Sequence, residues 1–143
     1  MAKIKNRKQW KEKCDGLWSI IVRSVGYCEI CGRSGAPRKD GRPIKGLDPH
    51  HLLGKGAYPQ FWHDVNNGVS LCVRCHIWGS EVGGVRICAH GDIEQLTNFW
   101  AWIEKNKPAT HEWYLENKDN KKSVVVDYEE KYAELQEMMG PEW

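Results

Sequence analysis

The residues best suited to chemistry lie between Leu47 and His76. Asp48-Pro49-His50-His51 comes first, Asn66-Asn67-Gly68-Val69-Ser70-Leu71 follows, and Cys72-Val73-Arg74-Cys75-His76 closes the stretch. The Cys72-x-x-Cys75 pair has an earlier counterpart in Cys28-x-x-Cys31, which runs directly into Gly32. Two thiolates separated by two residues can face one ion where a glycine lets the backbone turn back, and two such knuckles complete a closed tetrahedral zinc site. Zinc there would tie the end of a first helix to the strand near Leu71 and contribute folding free energy directly. The competing reading, four unrelated buried thiols, fits the doubled spacing poorly. Of the remaining cysteines, Cys14 falls on an apolar helical face and reads as core, whereas Cys88 has no assigned partner.

His50, His51, Asn67 and His76 form a second constellation. Adjacent strand residues point to opposite faces, so His50 and His51 should do different work: one binds a metal ion while the other addresses a water beside it. His76 follows the second knuckle into a helix start, although it could instead replace Cys75 on zinc. Asn67 is placed to hydrogen-bond the imidazole that does not bind metal and so fix its tautomer. Imidazole ligands suit Mn²⁺, Co²⁺, Ni²⁺ or Zn²⁺, and an exposed site with few ligands can also use Mg²⁺.

The surrounding pattern supplies elements to hold these groups. Trp10, Cys14, Leu17, Trp18 and Ile21 share one helical face, which predicts a helix from about Lys8 to Val25, with Gly26 as its left-handed stop. Arg33 to Gly46 reads as a mobile, DNA-facing loop. Leu47–Leu53 has strand character with Pro49 restricting it to an edge, and Asn66-Asn67-Gly68 signals the turn of a hairpin returning through Val69-Ser70-Leu71. A short helix from Val73 is cut by Gly79, Gly83 and Gly84. Asp92 and Gln95 then form a capping box before a helix with Ile93, Leu96, Trp100 and Ile103 on one face, ending at Pro108. Thr110–Lys118 and Asp127–Met139 follow as helices, the last with Tyr128, Tyr132, Leu135 and Met139 inward and Gly140-Pro141 as its end.

The chain has 143 residues, 41% of them hydrophobic, and a net charge of +2, which suits one domain with a modest core. No apolar run is long enough to cross a membrane and the amino terminus lacks the apolar stretch of a signal peptide, so a cytoplasmic protein without membrane association is expected. Net charge this small excludes nothing by itself, but the charges are unevenly placed. Basic residues dominate before Gly46, against the acids Glu12, Asp15, Glu29 and Asp40, while the segment after Ile93 is rich in Asp and Glu. Candidate phosphate contacts are Lys5, Arg7 and Lys8 around the start of the first helix, Arg38, Lys39 and Arg42 in the loop, and Arg74; a merely solvated charged face is the competing reading.

From Tyr27 to about Ile77 the types and order of these residues resemble the HNH endonuclease family. The resemblance implies an α+β chain with a ββα-metal core, a four-cysteine zinc site, an N-terminal helix and a helical C-terminal extension, divided as 1–26, 27–91 and 92–143. It implies His50 as first ligand of a catalytic divalent metal, His51 as general base, Asn67 as the orienting Asn and His76 as second ligand, with DNA cut to 5′-phosphate and 3′-hydroxyl ends. A narrower resemblance, to phage recombination proteins of the NinG/Rap type, rests on Leu47-Asp48-Pro49-His50-His51-Leu52-Leu53-Gly54, Asn67-Gly68-Val69-Ser70-Leu71-Cys72, and Ala89-His90 ahead of Phe99-Trp100-Ala101-Trp102-Ile103. It implies action on branched or recombining DNA, and a homodimer through the final helix would favour that. A nicking or packaging-associated nuclease and a non-catalytic zinc DNA-binding module are the alternatives. The chain departs from the family in having Gly79-Ser80-Glu81 where many members carry a Lys or His. Its glycine-rich insert at 79–84 separates His90 from His76, leaving His90 as either a third metal ligand or an ordinary capping or surface residue. His63 and His111 read as structural or exposed.

Overall fold

Helix α1 (Arg7–Arg23) starts at Asn6, whose side chain accepts from the Gln9 amide while the Gln9 side chain accepts from the Asn6 amide. Two amides that a helix start leaves unpaired are thereby satisfied. The helix ends two residues short of Val25, and Gly26 takes the left-handed conformation (φ 87°) expected of it. The computed structural model describes residues 6–35, 46–54, 56–121 and 125–139. The proposed helix end at Gly140-Pro141 and most of the loop before Gly46 lie outside them.

Strands β1 (Leu47–His51) and β2 (Gly68–Cys72) pair antiparallel, from Leu47 opposite Cys72 to His51 opposite Gly68. Among the described residues this sheet has no third strand to miss the N–H that Pro49 lacks. The strands are not joined by a tight hairpin at Asn66–Gly68. Residues 52–67 connect them through 3-10 turns at Pro59–Phe61 and Val65–Asn67, and Gly68 is already extended (φ −129°). The reason is local: the Asp64 side chain accepts from the Asn66 amide at 2.9 Å, which draws Asn66 and Asn67 into the second turn.

After β2 the expected short helix is a single π-helical turn, Arg74–Trp78, whose Gly79 amide donates to the Arg74 carbonyl at 2.5 Å. The glycine-rich insert forms a small hairpin, β3 (Ser80–Val82) with β4 (Val85–Ile87). Helix α2 (Ile93–Asn106) has the expected Asp92–Gln95 capping box. Its inward face differs from expectation: Ile93, in the first turn, is 85% exposed, and the buried pair is Phe99 and Ile103. Pro108 does not merely stop α2. It is the first residue of α3 (Pro108–Asn117), a position where a missing N–H leaves nothing unpaired.

Two apolar clusters result. The first joins Ile30, Leu47, Val69, Leu71, Ile87, Phe99 and Ile103 with Cys28, Cys72 and Cys75; the second joins Cys14, Leu17, Trp18 and Val22 of α1 with Tyr128 and Leu135 of α4 (Tyr128–Met139). Cys14 is core, as expected: its thiol donates to the Tyr128 carbonyl at 3.2 Å, and burial pushes its pKa up to about 11. His63 is structural, buried and 2.6 Å from the Asp15 carboxylate, with burial lowering its pKa against the pull of that carboxylate. No helix among the described residues is long and apolar enough to cross a membrane.

The clusters meet where α1 lies across β2. A Cβ at Gly68 would stand 2.4 Å from Val22 Cγ2 and 2.9 Å from Trp18 Cζ2. Since the Gly68 backbone suits any residue, Gly68→Ala should destabilise through crowding alone, by about 1–3 kcal/mol in urea denaturation. A stability within error of wild type would show that α1 yields freely.

Candidate functional site

The first knuckle is shaped by its backbone. Gly32 (φ 79°) donates to the Cys28 carbonyl at 2.9 Å, and the Cys28 amide donates to the Arg33 carbonyl at 2.8 Å, folding Cys28 and Cys31 toward one point. Glu29 docks this loop on the open edge of β2: its amide donates to the Ser70 carbonyl at 2.9 Å and its carboxylate accepts from the Ser70 amide at 2.8 Å. Lys107 ion-pairs with the same carboxylate from the α2–α3 junction. Cys72 ends β2 and Cys75 sits in the π-helical turn.

The sulfurs of Cys28, Cys31, Cys72 and Cys75 all lie within 4.8 Å of one another, with Cys31 and Cys72 3.6 Å apart. Zinc–sulfur bonds of about 2.3 Å require tetrahedral sulfur separations of about 3.8 Å, so the set fits one ion. Four thiolates leave that ion no open position, which is the pattern of a structural metal. The Cys75 thiol beside Cys28 holds the Cys28 pKa down, and the same contact pushes Cys75 up.

A second set is formed by His50, His76 and His90, one ring nitrogen from each within 4.8 Å of the others. The ring centroids stand 5.2, 5.0 and 4.9 Å apart, nearly an equilateral triangle. Cys75 and His76, consecutive in the turn, thus go to separate clusters. The insert does not strand His90. The β3–β4 hairpin returns the chain so that the Ala89 amide donates to the Cys75 carbonyl at 2.9 Å and the His90 amide to the His76 carbonyl at 3.1 Å. Cys88 also finds its partner there, 3.5 Å from the His76 carbonyl. Burial, then His76, His90 and His51, push the His50 pKa down to about 3, which keeps its lone pair available as a ligand. His76 Nδ1 is 3.1 Å from the Asp48 carboxylate, an acceptor, so Nδ1 carries the proton and Nε2 the lone pair. Three imidazoles of this kind could hold a metal ion while leaving positions open.

His51 borders the same space. Its Nε2 lies 2.8 Å from the Trp62 carbonyl, which can only accept, so Nε2 is protonated and Nδ1 is the basic nitrogen. The tautomer is therefore set by a backbone carbonyl and not by Asn67. The fully buried Asn67 amide instead donates to the Leu53 and Phe61 carbonyls (3.0 and 3.1 Å) and accepts from the Leu53 amide at 2.6 Å. A buried amide must satisfy its hydrogen bonds, and the nearest partners are in the 52–67 loop. Asn67 thus shapes the loop that presents the Trp62 carbonyl. His50, His51, His76 and His90, with Pro49, Gly54 and Trp62, line a cleft of about 400 Å³.

Of the expected phosphate contacts, Lys8 and Arg74 are exposed, while the Arg7 guanidinium donates to the Val126 carbonyl and lies 4.6 Å over the Tyr128 ring. Lys5, Arg38, Lys39 and Arg42 lie outside the described residues. Two contributors escaped the sequence reading. Asp48 had a signal, since a residue two before His50 on a strand shares its face. The Trp62 carbonyl had none, because any residue type would supply it.

Chelation that strips the four-cysteine metal should unfold the surrounding cluster, seen as loss of near-ultraviolet dichroism; an unchanged spectrum with the metal gone would deny the clamp. Asp48→Asn should weaken metal binding at the three-histidine set about ten- to a hundredfold in calorimetric titration of protein whose cysteine site is filled. Wild-type affinity would remove Asp48 from that role.

Comparison with known proteins finds no matching family model, no matching curated protein and no matching solved structure.

Proposed function

We propose that this chain is a metal-dependent DNA endonuclease that hydrolyses phosphodiester bonds through an HNH-type ββα-metal centre. One observation carries the reading: a histidine with its basic nitrogen defined, His51, lines the same cleft as the three-imidazole set. The order of His50, His51, Asn67 and His76 and the presence of two knuckles support it independently.

In this reading His51 Nδ1 takes the proton from a water in line with the scissile bond, while the Trp62 carbonyl holds the far side of the ring. A divalent ion on His50, His76 and His90 would polarise a non-bridging phosphate oxygen and stabilise the departing 3′ oxygen. Zinc on Cys28, Cys31, Cys72 and Cys75 would hold β2 and the π-helical turn in register. Lys8 and Arg74 are offered as phosphate contacts.

The test is cleavage of linear duplex, single-stranded, flapped and four-way DNA with Mg²⁺, Mn²⁺, Co²⁺, Ni²⁺ and Zn²⁺ in turn. His51→Ala should lower the rate by about two to four orders of magnitude without loss of cysteine-bound metal. Full activity in that variant removes His51 as the base. Preference for four-way DNA supports action on recombining DNA, equal cutting of all forms argues against it, and binding without cutting favours a zinc DNA-binding module.

A further inference from the structure

We propose that Trp18 is a positioning residue that fixes the plane of the His51 ring, making α1 part of the reaction centre. The proposal rests on the nuclease reading for what His51 does, and on geometry for how it is held. The Trp18 and His51 rings are stacked, with centroids 3.9 Å apart and planes 10° from parallel.

The indole is itself fixed. It is 2% exposed, its Nε1 donates to the Asp64 carbonyl at 2.9 Å, and its edge closes on Gly68, directly across the sheet from His51. Asp64 opens the 3-10 turn that ends in Asn67, so the loop that presents the Trp62 carbonyl also anchors the indole. These two restraints on His51 act on different motions. The hydrogen bond to Trp62 fixes where Nε2 lies, whereas the plane of the ring answers to what lies against its faces. The lone pair on Nδ1 lies in the ring plane, so rolling would swing the direction in which it accepts a proton. A flat, immobile indole against one face blocks the roll. The Trp62 ring, at 6.0 Å and 62°, meets His51 at an angle and cannot act as a second parallel plate. Aliphatic packing would fill the same volume without imposing a plane.

The test uses the full chain with its cysteine site filled, comparing wild type, Trp18→Phe and Trp18→Leu. In wild type the His51 ring protons should resonate upfield, shifted by the indole ring current. The shift should shrink in Trp18→Phe and vanish in Trp18→Leu. At saturating metal, Trp18→Leu should lower kcat about ten- to a hundredfold with KM little changed, and Trp18→Phe should recover most of the loss. A folded Trp18→Leu protein with wild-type kcat overturns the proposal, as do unshifted His51 protons in wild type, a measurement that stands even if neither variant folds. A wild-type protein that cuts no DNA yet shows the upfield shift, lost in Trp18→Leu, would sink the nuclease reading and keep Trp18 as the element that fixes the ring.

Discussion

The junction of four sulfurs is the constraint on which the rest depends. It joins residues 28–31 to residues 72–75, segments far apart in the chain, at the end of β2 where the first apolar cluster is centred. Three of the four cysteines belong to that cluster, so the four-sulfur set and the core are one object. Closing a long loop is entropically costly and a core this modest offsets little of it, which makes an ion with strong ligand bonds an effective fastener. The Glu29–Ser70 bonds and the Lys107 ion pair then spread the restraint to β2 and to the α2–α3 junction.

From that junction the imidazoles are placed by short lengths of backbone. β1 runs back along β2 and sets His50 on one face and His51 on the other, while the turn beginning at Arg74 carries His76 inward. The β3–β4 hairpin supplies the remaining ring by returning His90 beside His76. Burial and the neighbouring rings together oppose protonation of His50.

Much of this was legible in residue types. The two knuckles, the capping box at Asp92, the left-handed Gly26 and the inward face of the last helix all follow from spacing rules that act over a few residues. What was not legible depends on backbone atoms or on long-range return of the chain. The Asn66-Asn67-Gly68 signal reads as a hairpin turn, yet the Asp64 side chain captures it into a 3-10 turn. Asn67 was assigned to an imidazole because its type suits that work, whereas the loop carbonyls around it compete more closely. The glycine-rich insert looked like a separator because hairpin closure, not composition, decides where His90 ends up. Trp18 read as an ordinary core residue, and only the crossing of α1 over the sheet reveals what its flat face touches.

Cys75 and His76 are neighbours in the chain but belong to different sets of ligand-capable side chains. Their α-carbons are separated by one rigid peptide unit, about 3.8 Å, within a turn already closed by the Gly79 amide. That peptide joins the four-thiol set directly to the three-imidazole set. Neither set can be shifted along the chain without carrying the other with it.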